Sequence, residues 1–234
     1  MAKRIIAAFL CICIGVLLSA GDAAAFIDLG FSKDSRVYMF AQHGSIDKTW
    51  RGFAEIYSVD IAKNDYIDSG CFKISASAQT EGVNGSVLYE RLFEKNASYI
   101  KNTAPVPADL THTLYIKNKN KASVEEIVFT DFEGSTKENP VLFYIKLIPW
   151  YGGKSPSSKS SFFISVERRD KTGKVLSKQV AGTPDIKRTG VVDYTIEKIV
   201  RSPDGKSLVF IVEKKTQTAS GMSVRYMVET LVLK

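Results

Sequence analysis

The sequence has few of the residues from which metal centres and disulfide frameworks are built. Its 234 residues include two histidines and three cysteines. Histidine-rich metal sites and dense disulfide scaffolds are therefore excluded as the basis of the fold. The composition is otherwise globular, with 44% hydrophobic residues, 11% aromatic residues and seven prolines. A chain of this length buries about 70% of the surface that its unfolded form exposes, so we expect one domain with a self-sufficient core.

Motifs of catalysis and cofactor binding are also absent from the sequence. The chain contains neither a Gly-x-Ser-x-Gly motif nor a glycine-rich phosphate or dinucleotide loop, so no cofactor is predicted. A serine or cysteine nucleophile needs a base, and His43 and His112 are the only histidines. No His-Glu-x-x-His spacing occurs, so no metal site is predicted. One acidic cluster lacks the spacing of an EF-hand and is interpreted as a solvated turn: Asp60, Asn64, Asp65 and Asp68.

The N-terminal segment is typical of an export signal. Two basic residues precede an uncharged apolar run at residues 5–18, and three alanines follow at 23–25. The run is shorter than the roughly 17–25 residues of a membrane span. We therefore predict a signal peptide at 1–25 and a single exported β-rich domain at 26–234, periplasmic or extracellular, with an uncleaved N-terminal anchor as the alternative. Cys71 would be the only cysteine of this domain and is predicted to be an inert buried thiol.

Removal of this signal would leave an uneven distribution of charge. The formal net charge would change from +7 to +6, because two basic residues and one acidic residue are lost. Residues 26–109 carry 9 basic and 11 acidic side chains, whereas residues 110–234 carry 21 and 13. A basic surface outside the cytoplasm favours anionic partners, such as acidic glycans or lipid headgroups, and no nucleic acid is expected. The alternative is a solvated lysine-rich surface.

Two hairpins with similar turns are predicted near the two ends of the domain. The first, at residues 26–40, turns at Ser32-Lys33-Asp34, and the second, at 196–210, turns at Ser202-Pro203-Asp204-Gly205. The two segments align at a constant offset of 170 residues. Proline presets the first central position of a type I turn, and glycine tolerates the left-handed conformation that closes it.

One helix and further strands complete the predicted fold. Residues 86–101 place Tyr89 and Phe93 on one face at helical spacing, with Ser86 as the N-cap. The remaining apolar segments are interpreted as strands: 53–60, 66–74, 110–117, 124–132, 141–148, 162–169, 174–180 and 223–233. Segment 141–148 is almost uninterrupted in apolar residues, so we expect it to be covered on both faces. The predicted fold is mainly β, with antiparallel sheets in an incomplete propeller or a two-sheet sandwich, plus one amphipathic helix.

Both turns carry a resemblance to known proteins. Ser-Pro-Asp-Gly-Lys at 202–206 and Phe-Ser-Lys-Asp-Ser-Arg at 31–36 resemble the inner-strand turns of TolB-like and WD-repeat-like β-propeller blades. With Leu-Gly-Phe-Ser at 29–32 and Ala-Glu-Ile-Tyr-Ser-Val-Asp at 54–60, the chain is similar to a family of bacterial predicted secreted proteins known as a domain of unknown function. This resemblance implies export but no activity. Two blade-like units are fewer than the four of a closed propeller.

Loop residues are the candidates for ligand binding: His43, Trp50, Arg51, Trp150 and Tyr151. Exposed aromatic side chains in loops suit contacts with sugars or proteins, although they also cap the edges of cores. The leading hypothesis is a non-catalytic binding or scaffold module of the cell envelope. An envelope hydrolase acting on glycan or peptide is the alternative, and it requires a pocket with two acidic groups or a Ser/His pair. A third hypothesis is peripheral membrane contact through the basic C-terminal portion.

Overall fold

The structure, a computed structural model, describes residues 22–46, 49–118, 120, 125–153, 158–218 and 221–234. The apolar run at 5–18 and the first residue of the strand predicted at 124–132 lie outside this set.

The helices of the described residues are α1 (Gly85–Lys95) and α2 (Ala97–Thr103). None of the described helices is long and apolar enough to cross a membrane. The strands β1 to β14 are, in order, Ala25–Phe31, Val37–Ile46, Arg51–Asp60, Asp65–Tyr66, Phe72–Ile74, Thr113–Ile116, Ile127–Thr130, Val141–Gly152, Lys159–Asp170, Val175–Ala181, Arg188–Thr189, Val191–Arg201, Ser207–Thr218 and Gly221–Val232.

These strands form three antiparallel sheets. The N-terminal sheet has the order β1-β2-β3-β4, with β5 also paired to β3. The central sheet has the order β6-β12-β13-β14, and the outer sheet has the order β7-β8-β9-β10, with β11 also paired to β9. The prediction of a mainly β protein with antiparallel sheets is therefore confirmed.

The central sheet is covered on both faces because the other two sheets pack against it. Phe210 of β13 shares one core with Phe143 of the outer sheet. Its chain neighbour Val209 points the opposite way and shares a second core with Phe40 of the N-terminal sheet. The far face of the N-terminal sheet is covered by the helices, with Leu92 buried there. The order of layers is therefore helices, N-terminal sheet, central sheet and outer sheet.

The two predicted hairpins are confirmed and have matching hydrogen bonds in their turns. Ser32 Oγ donates to Asp34 at 2.7 Å and accepts from the Val37 N–H at 3.0 Å. Ser202 Oγ donates to Asp204 at 2.6 Å and accepts from the Ser207 N–H at 2.9 Å. The hairpins lie in the N-terminal and central sheets, which pack face to face. The resemblance between them is therefore structural as well as sequential.

Loss of this turn hydroxyl should destabilise the protein where the turn is buried. Ser202 is fully buried, so we expect Ser202→Ala to lower the free energy of unfolding by about 1–2 kcal/mol, since it leaves the buried Ser207 N–H without a partner and leaves Asp204 with only the bond from the Lys206 N–H. Thr172→Ala is the matched control, because Thr172 makes the same kind of bond to Asp170 at 2.6 Å in an exposed turn. Equal losses in the two variants, measured by urea denaturation, would contradict the role of burial.

Three local features differ from the sequence predictions. The helix predicted at 86–101 is two helices separated at Asn96, whose side-chain amide donates to the Leu92 carbonyl at 2.7 Å. Asn84 rather than Ser86 is the N-cap, and its Oδ1 accepts from the Ser86 N–H at 3.0 Å. Strand β8 alternates between buried and half-buried residues, because the outer sheet has a second sheet on one face only. The prediction that this strand is covered on both faces was wrong.

Candidate functional site

Three of the residues predicted from the sequence lie near the turn of the β2–β3 hairpin, but His43 and Arg51 belong to strands β2 and β3 and not to a loop as predicted. The His43 ring stacks on the Tyr89 ring of α1 with centroids 5.9 Å apart, and burial lowers its pKa. Trp50 lies in the turn and is 72% exposed. Arg51 forms an ion pair with Glu81 at 3.4 Å. These side chains surround no described cavity.

The other two predicted residues lie at the end of β8. The Trp150 ring is half exposed, and the Lys187 ammonium lies 4.1 Å from its centroid. Tyr151 stacks on Tyr194 at 6.3 Å and lines a cavity of about 240 Å³ between the outer and central sheets. The five predicted residues are thus divided between two separate places and do not form one site.

The small cavity at Tyr151 offers few groups to a ligand. Its two carboxylates are already paired, Glu125 with Lys146 at 2.6 Å and Asp193 with Lys215 at 3.1 Å. The rest of its lining is apolar or tyrosine side chains, with one threonine. It is therefore a poor candidate for a polar recognition site.

A larger cleft, which we call the inter-sheet cleft, lies where β14, the edge strand of the central sheet, passes between the N-terminal sheet and the segment at 182–188. Its volume is about 640 Å³. It is lined by Gln42, Glu55, Tyr57, Asn64, Asp65, Tyr66, Asp68, Cys71, Lys73, Gly182, Thr183, Ile186, Arg188, Lys214, Arg225, Tyr226, Met227, Val228 and Glu229. Binding clefts of proteins commonly occur at such junctions between layers.

Lys214 is the half-buried cation of the cleft that forms no ion pair among the described residues, whereas Lys73, which also forms none, is exposed. Lys214 lies on β13 opposite Arg225 of β14, so the two side chains share one face of the central sheet. Burial lowers the pKa of Lys214, and the positive charges of Arg188, Arg225 and Lys73 lower it further. The negative charge of Glu55, which also lines the cleft, raises the pKa of Lys214 but does not outweigh these effects. An anion bound there would relieve this unfavourable charge environment.

A buried carboxyl group, Glu229, lies on the same face of the central sheet. Glu229 accepts a hydrogen bond from the Asn64 side-chain amide at 2.6 Å, and the Arg188 guanidinium lies 3.6 Å away. Burial raises the pKa of Glu229 more than these two neighbours lower it. Asn64 Oδ1 also accepts from the Thr230 N–H at 2.5 Å, so Asn64 holds β14 to the turn before β4. This carboxyl is therefore fixed in position and easily protonated.

Tyrosine rings and exposed carboxylates form the upper part of the cleft. Tyr57 and Tyr66 pack with ring centroids 5.3 Å apart. Tyr226 packs on the opposite side of the cleft, and burial raises its pKa to about 12, so its phenol stays neutral. Asp65 and Asp68 are exposed. The lining of the cleft thus combines four cations, four carboxyl groups and three tyrosine rings.

The lining of the cleft contains little that could act as a nucleophile. Neither described histidine borders it. Burial raises the pKa of the Cys71 thiol, and this works against formation of a thiolate. Cys71 is half-buried immediately before β5, so the predicted inert thiol agrees with its environment only in part. Within the described ranges no group of three or more His, Cys, Asp and Glu side chains could hold a metal ion.

Comparison with known families gives one match. A family model described as Predicted secreted protein (DUF2259) matches residues 39–231, which span all three sheets and include every residue that lines the inter-sheet cleft. No curated protein matches the chain. The description of the family concerns export and does not name an activity or a ligand.

Proposed function

Because the chain belongs to this family of predicted secreted proteins, we propose that it is an exported binding protein of the cell envelope whose inter-sheet cleft holds an acidic sugar. The observation that carries the proposal is Lys214, a half-buried cation without an ion-pair partner among the described residues, whose pKa is lowered by burial and by three neighbouring cations against one carboxylate, Glu55. A carboxylate or sulfate of the ligand would supply the missing partner.

The upper part of the cleft favours a sugar over a simple inorganic anion. The faces of the Tyr57 and Tyr66 rings offer apolar surface for the C–H groups of a pyranose. The exposed carboxylates of Asp65 and Asp68 accept hydrogen bonds from hydroxyl groups, whereas they would repel a second negative charge. A ligand with one acidic group and several hydroxyls therefore satisfies both halves of the cleft.

Substitution of Lys214 should abolish this binding without unfolding the protein. We expect Lys214→Met to weaken the binding of a trisaccharide of two galactoses and one galacturonate at least about 10-fold, because the charge-assisted partner of its carboxylate is lost. Lys215→Met is the matched control, since Lys215 is the next residue of β13 and pairs with Asp193 away from the cleft. Isothermal titration calorimetry with this acidic trisaccharide, and with neutral galactotriose as a comparison, provides the measurement. Equal affinity for the two sugars, or equal loss in the two variants, would refute the proposal.

Binding should also strengthen as the pH falls. Protonation of Glu229, whose pKa is raised, removes a negative charge from the cleft while Lys214 stays charged. We therefore expect the affinity for the acidic trisaccharide to rise about 5-fold as the pH falls from 8 through the raised pKa of Glu229, at the low end of couplings between two ligands of one protein. In Glu229→Gln the affinity should change less over this range, as the titrating carboxyl is gone. An affinity that falls on acidification would contradict the assignment.

Glycan hydrolysis is a second candidate function, and the observation that favours it is again Glu229. A buried carboxyl group with a raised pKa in a cleft is suited to donate a proton to a leaving group. Glu55, Asp65 and Asp68 line the same cleft and supply further carboxylates. Release of shorter products from the oligosaccharide, lost in Glu229→Gln while binding persists, would establish this function in place of simple binding.

A further inference from the structure

The residues that precede β1 are an integral part of the fold. The Val224 N–H donates to the Asp22 carbonyl at 2.8 Å, and the Ala24 N–H donates to the Val224 carbonyl at 3.1 Å. Ala23 thereby forms a parallel bridge with Val224 of β14, and Ala24 is buried. This short segment joins the N-terminal sheet to the edge of the central sheet beside the inter-sheet cleft.

The Asp22 side chain adds a buried ion pair to these backbone bonds. Its carboxylate bonds the Arg225 guanidinium, and its side chain is only 9% exposed. Arg225 also donates to the Val224 carbonyl at 2.8 Å and lies over the Phe53 ring at 4.1 Å. Removal of Asp22 would leave this guanidinium at the cleft without its carboxylate, and a half-buried unpaired charge is costly.

The three alanines at 23–25 predict cleavage of the signal peptide after Ala25, which would remove Asp22 and the bridge to β14. We infer instead that the leader is removed on the N-terminal side of Asp22, and that residues 22–25 remain in the mature protein. The bond between Gly21 and Asp22 fits this requirement, because Ser19 and Gly21 place small residues three positions and one position before it. Its hydrolysis consumes one water, which gives Gly21 a carboxylate and Asp22 an α-amino group.

This position of the cut also has a consequence for the inter-sheet cleft. With Asp22 retained, Arg225 is neutralised within the protein. Lys214 then remains the half-buried cation available to a ligand. The inference does not depend on the identity of the ligand, since it rests on the contacts of Asp22 to Ala24 alone.

The test is the N-terminus of the full chain after export from a bacterial host, determined by intact mass and by sequencing of the N-terminal peptide. A mature chain that begins at Asp22 or at Gly21 would support the inference. A chain that begins at Phe26, or one that retains Met1 unprocessed, would overturn it. Two substitutions locate the cut independently: Gly21→Leu should block or displace processing, whereas Ala25→Leu should leave it unchanged. Ala25 suits this comparison because its side chain is exposed.

A second measurement tests whether residues 22–25 stabilise the mature fold. In the exported protein, Asp22→Asn should lower the melting temperature by about 3 °C or more, because a half-buried arginine loses its carboxylate. Glu125→Gln is the control, since Glu125 pairs with Lys146 at 2.6 Å and its side chain is 85% exposed. An unchanged melting temperature in Asp22→Asn would show that residues 22–25 do not stabilise the mature fold. It would then overturn the inference that they are retained because they stabilise it.

Discussion

Asp131→Asn should lower the free energy of unfolding by about 3–5 kcal/mol, the cost of breaking a buried ion pair from one side. Asp131 follows β7, and its side chain is 1% exposed. Its carboxylate accepts from Arg168 of the outer sheet at 2.9 Å and from Arg201 of the central sheet at 3.0 Å. An asparagine of the same size would leave Arg168 without its counter-charge and Arg201 with only the exposed carboxylate of Glu133, between two packed sheets.

The pKa of Asp131 agrees with this role. Burial raises the pKa of the carboxyl, but the bonds from Arg201 and the Gly134 N–H, together with the charges of Arg168 and Arg201, lower it further than burial raises it. A depressed pKa in the folded state means that the stabilisation is fully present above the unfolded pKa of about 3.9 and is lost as the pH falls through the folded value. The difference in stability between the native protein and Asp131→Asn should therefore shrink only below about pH 4.

Glu133→Gln is the control for this prediction, because Glu133 pairs with the same Arg201 at 3.2 Å but is 61% exposed. Exposed ion pairs contribute about 0–1 kcal/mol. Guanidinium chloride denaturation of both variants at pH 7 is the measurement. A loss in Asp131→Asn as small as that in Glu133→Gln would mean that the two arginines find other partners, and the proposed link between the sheets would be wrong.

Local features of this fold were predictable because their causes are close together in the sequence. The serine and aspartate of each hairpin turn bond to backbone groups within five residues, so Ser32 and Ser202 mark the turns without help from the rest of the chain. The break at Asn96 was not predictable in this way. The apolar spacing of 86–101 continues across Asn96, where the backbone leaves the helical region at φ −111° and ψ 17° and the side chain bonds the Leu92 carbonyl.

The inter-sheet cleft was not predictable because its residues come from distant parts of the chain. Asn64 and Glu229, which bond directly, are 165 residues apart. The sequence did contain one signal, because the charged residues Arg225 and Glu229 alternate with the apolar residues Met227 and Leu231 on one face of β14. The prediction of ligand-binding residues relied instead on aromatic residues such as Trp50 and Trp150, which the structure places outside the cleft.

The layered arrangement could not be predicted from the sequence either, because it depends on close approach between segments whose sequences share no pattern. Gly30 shows this most clearly. It occupies an irregularity of β1 with φ of +94°, where the chain shifts register against β2. The next residue, Phe31, exchanges two backbone hydrogen bonds of 2.9 Å with Val106, and these bonds fix the segment after α2 against β1.

Gly30→Ala should therefore destabilise the protein by more than about 3 kcal/mol, because two costs add. The new Cβ would overlap the carbonyl oxygen of Val106, and an alanine at this positive φ is strained by about 1–2 kcal/mol. Gly173→Ala isolates the second cost, since Gly173 has φ of +85° and open space at its Cβ position. Urea denaturation of the two variants is the measurement. If Gly30→Ala and Gly173→Ala lose the same stability, the backbone at Val106 moves away from the new Cβ without an energetic cost. The close approach of Gly30 to Val106 would then not hold these layers together.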